Sequence, residues 1–418
     1  MSRSSLNVDI PGWWERHRLV VFRVLTVLMA VLATLKIADE FRRLVFDQNV
    51  SGAIDLRHMH RWVGIWFAGK GLFQMGKAAL YPPATYLMLW PLLGWTSIAE
   101  ARWLWAVLSV IALFVISLLF IRVIGAKSRA EKVFAVLIVL SINGMGVAIG
   151  NGQFILLVLP ALMGATLLIE PRAANISRDV MAGALLTWTL VKPSLALPFI
   201  WVFLFRDKHW RAVVAATIFY ILLTFASAAA QNDNLPVLLG AMFHRAAVAT
   251  VEFAGTRNLH AMLITLGHPE WITFSSVIVF IALGIWIFLR RRADIWILIG
   301  VSALVARMWT YHRVYDDALI MLAELALWRI ARTSASLSER ATAEILLVSN
   351  AFLMLCPARF LDYERGWIVP WLCISVQSVA WLSTLIFLMN RAKNLPGAPR
   401  PDQVMLQSHG LIPQRVRS

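Results

Sequence analysis

Long runs of apolar residues dominate the chain, separated by short polar segments that are rich in arginine. About 20 apolar residues in a helix cross the roughly 30 Å hydrocarbon layer of a membrane, so such runs predict transmembrane helices. The predicted spans lie at about 19–38, 103–124, 133–149, 154–169, 180–205, 211–230, 272–290, 294–308, 316–331, 341–357 and 367–389, with a shorter apolar piece at 84–95. We therefore expect an all-α polytopic bundle of about 11–13 membrane helices, including short or broken ones.

Composition narrows the class of protein further. Of the 418 residues, 60% are hydrophobic and only 15% are charged, whereas a globular domain carries about 25% charge. This excludes a cytosolic enzyme, a disordered chain and a secreted disulfide scaffold. Two cysteines are too few for the repeated pairs of a zinc or iron–sulfur site. The net charge is +16, and the basic residues lie mainly in short loops between apolar runs. This pattern is typical of loops that set the orientation of a membrane protein, and it does not indicate nucleic acid as a partner.

The distribution of Lys and Arg predicts the orientation, because cytoplasmic loops carry an excess of both. If residues 180–205 form a broken hairpin around Lys192, alternate connections carry 23 and 13 basic residues. The first set is 1–18, 122–132, 170–179, 206–211, 290–293, 329–340 and 391–418, and the second is 39–83, 96–102, 231–271, 307–315 and 358–366. The first set, which includes the N-terminus, is predicted to be cytoplasmic.

These patterns indicate one membrane domain over 19–389, with its longest outward loop at 39–83. Residues 1–18 are interpreted as a cytoplasmic segment and 390–418 as a disordered basic cytoplasmic tail. No small-residue cleavage site follows 19–38, so this run is interpreted as a retained anchor and not as a secretory signal.

The outward loop carries the first group of candidate residues. Asp55 stands among apolar and basic neighbours, including Arg57 and His58, and an ionised carboxylate there can accept a proton from an attacking hydroxyl. Trp62 and Trp66 follow and indicate an amphipathic helix in the membrane interface. The alternative is a solvated loop with an aromatic anchor. The loop ends at Tyr81-Pro82-Pro83, whose prolines predict an extended re-entry into the membrane.

Two further polar groups interrupt apolar runs. Gly150-Asn151-Gly152-Gln153 predicts a tight reversal, and Asn151 and Gln153 place amide groups at the outer edge of the bundle. The alternative is a polar turn. Lys192 precedes Pro193, which breaks the helix, and a lysine at such a break is expected to face an anion such as a phosphate. A lysine that snorkels to the surface is the alternative.

The fourth group is Trp309–Asp317, which contains His312, Arg313 and Asp316. His312 and Asp316 are four residues apart and would share a face if the helix began early. Pairing of Arg307 or Arg313 with Asp316 or Asp317 is the structural alternative. Metal ligation by His58, His60, His312 and Asp316 is disfavoured, because their spacing matches no specific zinc motif. No metal and no cofactor is expected.

The order of several short motifs resembles glycosyltransferase family 87 over about residues 50–330. The motifs are Asp55-Leu56, Tyr81-Pro82-Pro83, Gly152–Leu157, Lys192-Pro193-Ser194, Arg206–Arg211 and Tyr315-Asp316-Asp317. That family has the GT-C membrane fold and includes polyprenyl-phosphate-mannose-dependent α-mannosyltransferases. The resemblance implies that Asp55 is the catalytic aspartate, and that Lys192 and the Tyr-Asp stretch correspond to family positions. Arg57-His58 replaces a common Tyr-Tyr-like pair, and the late stretch lacks the Ser-Pro start. The sugar and acceptor therefore stay open.

Together these observations predict a multi-pass enzyme of the inner membrane whose site faces the periplasm or exterior. It would move a hexosyl or pentosyl group from a polyprenyl-phosphate sugar to a lipid or glycan acceptor, among membrane lipids. Asp55 and His312 are the expected catalytic residues. The expected substrate-binding residues are Arg57, His58, Tyr81, Asn151, Gln153, Lys192, Arg313 and Asp316. The rivals are a transporter or lipid flippase and a purely structural membrane partner.

Overall fold

The computed structural model is helical throughout the residues it describes, with no strand among them. These residues are 10–49, 51–75, 81–171, 173, 175–206, 208–231, 234–252, 263, 266–310, 312–355 and 368–394. The all-α prediction is confirmed. The expected disordered tail 390–418 is helical up to Asn394, and its remaining residues lie outside the described ones. Of the expected N-terminal segment 1–18, residues 1–9 lie outside the described residues and 10–18 are helical.

The helices follow one another through short connections. They are α1 (Ile10–Val45), α2 (Ile54–Phe67), α3 (Leu72–Met75), α4 (Pro83–Leu93), α5 (Ile98–Ile124), α6 (Arg129–Ser141), α7 (Asn143–Asn151), α8 (Ile155–Ile169), α9 (Ile176–Thr189), α10 (Pro193–Phe205), α11 (Trp210–Ala228), α12 (Leu235–Glu252), α13 (Ile272–Arg290), α14 (Ile295–Trp309), α15 (Met321–Thr333), α16 (Leu337–Leu355) and α17 (Ile368–Asn394). Short 3-10 helices cover Pro269–Trp271 and Val314–Ile320.

Four described helices, α1, α5, α11 and α13, are long and apolar enough to cross a membrane by themselves. Helices α6 and α7 form a fifth span if their 51° bend is counted as a break within it. The outer faces of the long helices are apolar. Leu19 of α1 is 66% exposed and Phe114 of α5 is 64% exposed. Exposed apolar surface on this scale needs hydrocarbon around it.

Several connections meet at one end of the bundle, which we call the basal end. Arg329 donates to the carbonyl of Val123 and pairs with Asp294, so the ends of α5 and α15 lie beside the start of α14. Arg206, after α10, donates to the carbonyl of Ala293 at 3.2 Å. Arg18 of α1 contacts Glu344 of α16. The described connections of the predicted cytoplasmic set therefore share one end.

The other connections meet at the opposite end, which we call the site end. Arg102, at the start of α5, donates to the carbonyl of Leu44 at the end of α1. His60 of α2 lies 2.7 Å from the carbonyl oxygen of Thr96. Arg245 of α12 donates to the carbonyl of Phe73. The predicted grouping of connections is thus confirmed for the described parts of 39–83, 96–102 and 231–271. Residues 358–366 lie outside the described residues.

The predicted hairpin around Lys192 is confirmed. Helix α9 begins at the basal end and α10 returns there, since His209 after α10 lies 2.6 Å from Asp179 in the first turn of α9. The 13, 14 and 15 residues of α6, α9 and α14 make helices of about 20–22 Å. All three start at the basal end. They stop about 10 Å short of a 30 Å hydrocarbon layer, so the segments that follow them meet inside the bundle.

Three expectations are wrong in detail. Helix α1 begins at Ile10, before the predicted span at 19, because Pro11 at the second position and Trp13 and Trp14 favour an early start. The segment 231–271, which was predicted to be outward, contains α12, a helix whose scattered polar residues weaken its apolar signal. The predicted span 316–331 begins as a 3-10 helix, and the α-helix starts only at Met321.

Candidate active site

The turn between α9 and α10 places Lys192 inside the bundle. Pro193 occupies the first position of α10, so the helix cannot run through and backbone carbonyls are freed. Other elements satisfy two free carbonyls in this segment, that of Val191 at the break and that of Ser194, whose i+4 residue is Pro198. The Thr85 hydroxyl of α4 donates to the carbonyl of Val191 at 3.0 Å, and the Trp309 indole of α14 donates to that of Ser194 at 2.9 Å. The break is thus held by polar contacts within protein, as a membrane requires.

Lys192 forms a buried ion pair with Asp316. Its Nζ lies 2.8 Å from Oδ1 and 3.1 Å from Oδ2, and the two residues are 9% and 1% exposed. The ammonium also lies 4.8 Å from the centre of the Tyr315 ring. Lys192 was expected to face a substrate anion, but its charge is balanced here by a carboxylate of the protein. Two of its three donors are directed to Asp316, which leaves one for a ligand.

His312 completes the cluster on the other side of Asp316. Its Nδ1 lies 3.1 Å from Asp316 Oδ2, and the same oxygen accepts the backbone N–H of Arg313. The predicted contact between His312 and Asp316 is confirmed, although it forms across an extended segment that enters a 3-10 helix. A carboxylate only accepts, so Nδ1 carries the proton and Nε2 of the neutral ring is an acceptor.

A second ion pair fixes the segment that carries this cluster. The Arg307 guanidinium of α14 donates to Asp317 at 2.5 Å, and Arg307 is fully buried. Its charge also lies 5.5 Å from the centre of the Trp381 ring of α17. Among the pairings considered from sequence, that of Arg307 with Asp317 is found. Neighbouring aspartates are thus held by two different helices, which orients the 3-10 helix.

Some buried polar atoms have no hydrogen-bond partner among the described residues. They include His312 Nε2 of this cluster, and Asn143 Oδ1 and Gln153 Oε1 at the two ends of α7. Buried polar atoms are nearly always paired in native proteins, by protein groups, ordered water or ligands. A polar ligand would satisfy such atoms, and sugar hydroxyls have the matching chemistry.

Asp55 lies in the first turn of α2 at the site end. Ala53 immediately before the helix has φ 51°, and its N–H donates to the carbonyl of Gly150 at 3.0 Å. Gly152, with φ 73°, lies so close to Leu56 that an added Cβ would be 2.5 Å from the leucine Cβ. The Asp55 carboxylate is half-buried and forms no hydrogen bond or ion pair with the described side chains.

Charged side chains anchor both sides of this contact. Arg43 of α1 pairs with the fully buried Glu40 at 2.7 Å and donates to the Asn151 side-chain oxygen at 2.8 Å. Arg102 donates to the carbonyls of Arg43 and Leu44 at the end of α1 and to that of Asp47 in the connection between α1 and α2. In that connection, the Asn49 N–H and the Ser51 hydroxyl hold the pKa of Asp47 below its usual range. The start of α2 is therefore tied to α1, α5 and α7.

Helix α7 joins the two groups. Its C-terminal end, at Gly150 and Asn151, contacts the start of α2. Near its other end, a Cβ on Gly144 would be 2.9 Å from both the backbone nitrogen of Ala318 and the carbonyl oxygen of Val314. Nine residues make a helix of about 13 Å. Asp55 and the Lys192–Asp316–His312 cluster are thus placed near opposite ends of one short, closely packed helix.

The other predicted site residues have varied surroundings. Arg57 donates to the carbonyl of Asn49 at 2.6 Å, and His58 is exposed and stacks on Trp62. Tyr81 packs edge to face against Phe154 and lies 6.3 Å from Trp62, both measured between ring centres. The Arg313 side chain is exposed.

The family model for glycosyltransferase family 87 matches residues 79–357, which is about two thirds of the chain. This chain belongs to glycosyltransferase family 87. It is therefore a membrane glycosyltransferase, and the transporter and structural alternatives are set aside. Searches of the curated proteins and of the solved structures gave no match.

The family 87 match covers only some of the candidate residues. It includes Tyr81, Asn151, Gln153, Lys192 and the segment with His312, Arg313 and Asp316. Asp55, Arg57 and His58 precede it, so the role of Asp55 depends on the resemblance and on its position beside α7.

Some residues that build this site of the family 87 chain were missed from sequence. Glu40 and Arg43 were placed in a loop, although their i, i+3 spacing is typical of a helical ion pair. Asn143 lies inside a predicted span, and a single amide side chain in an apolar run could have been identified as a candidate site residue. Thr85 could not be recognised from sequence, since a threonine in an apolar helix commonly donates a hydrogen bond to a backbone carbonyl of its own helix.

Proposed function

We propose that this enzyme transfers a hexosyl or pentosyl group from a polyprenyl-phosphate sugar to a lipid or glycan acceptor at the site end of the bundle. The observation that carries the proposal is the buried cluster of Lys192, Asp316 and His312, with an unpaired His312 Nε2 and with Asp55 near the other end of α7. The cluster lies in segments that follow the short helices α9 and α14.

The chemistry assigns Asp55 as the general base. The acceptor hydroxyl oxygen attacks the anomeric carbon while its proton passes to the Asp55 carboxylate. The bond from the anomeric carbon to the phosphate oxygen breaks, and the polyprenyl phosphate leaves with that electron pair. The negative charge that develops on the phosphate is stabilised by donors fixed in place beforehand.

Lys192 and His312 have matching roles in this scheme. Asp316 holds the ammonium and the imidazole in one orientation, and the third N–H of Lys192 donates to the phosphate. Nε2 of the neutral His312 accepts a hydrogen bond from a hydroxyl of the sugar or acceptor. Asp316 was predicted to bind substrate, whereas its contacts support a positioning role.

The distribution of basic residues supports one orientation of the bundle in the membrane. The described connections of the set with 23 basic residues meet at the basal end, which supports a cytoplasmic basal end and an extracytoplasmic site end. A lipid-phosphate donor fits such a site. The sequence also contains no Gly-rich phosphate-binding loop for a nucleotide sugar.

The donor class is tested with the purified protein in lipid vesicles. Vesicles receive either a radiolabelled polyprenyl-phosphate hexose or pentose, or the same sugar on a nucleoside diphosphate, together with membrane-extracted acceptor. We expect labelled lipid or glycan product only from the polyprenyl-phosphate sugar. Product from the nucleotide sugar, with the lipid donor inert, would overturn the proposal.

A further inference from the structure

A large crevice opens at the basal end, far from the candidate active site. It has a volume of about 940 Å³ and lies between α1, α6, α15 and α16. Its wall deeper in the bundle is apolar and aromatic. Phe22, Phe134 and Trp328 form a continuous row, with ring centres 5.2 Å and 5.4 Å apart. No step of the proposed reaction uses this crevice.

The mouth of the crevice is strongly basic. Four arginines and two glutamates line it, which are Arg18, Arg23, Arg129, Arg332, Glu131 and Glu344. Arg18 pairs with Glu344 at 3.3 Å and Arg332 with Glu131 at 3.2 Å. Arg23 and Arg129 form no ion pair or hydrogen bond with any residue that the structure describes. The lining thus has two cationic groups in excess.

Arg23 lies on a face of α1 that is otherwise apolar and exposed. It follows Leu19 and precedes Val27 at four-residue spacing on α1, and these two side chains are 66% and 63% exposed. An apolar face this exposed is the kind of surface that hydrocarbon covers. An anionic headgroup would stabilise a charge on such a face, and guanidinium groups bind phosphate through paired, planar donors.

We propose that the crevice is a binding site for one anionic phospholipid of the leaflet at the basal end. The headgroup phosphate lies between Arg23 and Arg129, and an acyl chain lies along Phe22, Phe134 and Trp328. The occupant is a diacyl phospholipid with a net negative headgroup, because the excess charge of the mouth favours an anion over a zwitterion. The inference does not depend on the donor or acceptor of the reaction.

Native mass spectrometry tests the site with the full chain. Protein is exchanged into micelles that contain phosphatidylglycerol or phosphatidylcholine with identical acyl chains. We expect one retained phosphatidylglycerol per chain and no retained phosphatidylcholine. Retention should fall roughly tenfold in the double variant Arg23→Gln/Arg129→Gln, because two charge-assisted contacts are lost. The double variant Arg178→Gln/Arg211→Gln removes two exposed arginines of the same end outside the crevice and should retain the lipid fully.

Other results would overturn the proposal. Equal retention of both lipids, no retention by the unchanged chain, or equal loss in the two double variants would each do so. Displacement of phosphatidylglycerol by an equimolar polyprenyl monophosphate would assign the crevice to a prenyl lipid instead. Thermal unfolding of each variant in the same detergent checks that the crevice variant is folded, and a single variant, Arg23→Gln, replaces the double variant if it is not.

Discussion

Lys192 and Asp316 are 124 residues apart in the sequence, yet their side chains form a buried ion pair with Nζ 2.8 Å from Oδ1. The pair joins the broken turn between α9 and α10 to the 3-10 helix before α15. It also holds His312 through the second carboxylate oxygen. The Asp316 carboxylate therefore orients Lys192 and His312, the two side chains that contact the substrate in the proposed mechanism.

Breaking this ion pair on one side is expected to destabilise the protein. Lys192→Met leaves Asp316 buried without its counter-ion, a change that typically costs about 3–5 kcal/mol. Lys192→Met/Asp316→Leu removes both charges and should recover most of the loss, because an apolar pair of similar size tolerates burial. The measurement is thermal unfolding in detergent, with sugar transfer assayed in parallel.

The double variant separates structure from function. We expect it to unfold near the temperature of the unchanged protein and yet to lack sugar transfer, since neither Lys192 nor an oriented His312 remains. Full activity in the double variant would show that the pair is structural only. A double variant less stable than Lys192→Met would contradict the ion-pair account.

His312 can be tested with a substitution that keeps one of its two contacts. In His312→Asn the amide nitrogen can still donate to Asp316, as Nδ1 does, but the group at the position of Nε2 is lost. We expect transfer to fall by about 10²–10⁴-fold, the usual range for a positioned acid–base group, with little change in thermal unfolding. His268→Asn changes an exposed histidine 3.1 Å from Glu270 and should retain full activity. An active His312→Asn protein would rule out a role for Nε2.

Gly144 tests the packing of α7 against the 3-10 helix. A Cβ at this position would be 2.9 Å from backbone atoms of Val314 and Ala318, which cannot move as a flexible side chain can. Gly144→Ala is therefore expected to cost about 1–3 kcal/mol and to displace the cluster, so that Tm and transfer both fall. A Gly144→Ala protein with unchanged Tm and activity would contradict this packing.

Gly64 of α2 supplies the matched control. A Cβ there meets nothing within 4 Å, so Gly64→Ala should stabilise α2 by about 0.5–1 kcal/mol through its better helix propensity. Transfer should be unchanged. The comparison of the two alanine variants isolates the close contact at Gly144 from any general effect of replacing a helical glycine.

Hydropathy and charge predicted most of the fold because both act locally along the chain. The span predicted at 272–290 coincides with α13, and the hairpin around Lys192 was the assumption under which the basic residues divide unevenly between alternate connections. Helix α12 was missed because a partly polar helix is stabilised by helices that pack against it, and a hydropathy pattern contains no information about them. The bend between α6 and α7 was also missed, and it lies next to Gly144, which packs against backbone of the 3-10 helix.

The candidate site was predicted residue by residue but not as a set of contacts. Lys192 was identified because a charge is conspicuous in an apolar run, and His312 and Gln153 because they lie in short polar segments between such runs. Their partners are not visible in sequence, since pairing across 124 residues is decided by how helices pack. Asn151 shows the difference, because its expected ligand contact is taken by Arg43, which lies in a segment interpreted as loop.

Asp55 carries the central claim, and sugar transfer by Asp55→Asn tests it most directly. The assay uses membranes with equal amounts of each protein and a labelled polyprenyl-phosphate sugar. Asp39→Asn is the control, because it removes another carboxylate of the site end, one that is half-exposed and 2.9 Å from Arg42. We predict at least about a 100-fold loss for Asp55→Asn and no loss for Asp39→Asn. Full activity of Asp55→Asn at normal abundance would contradict the account.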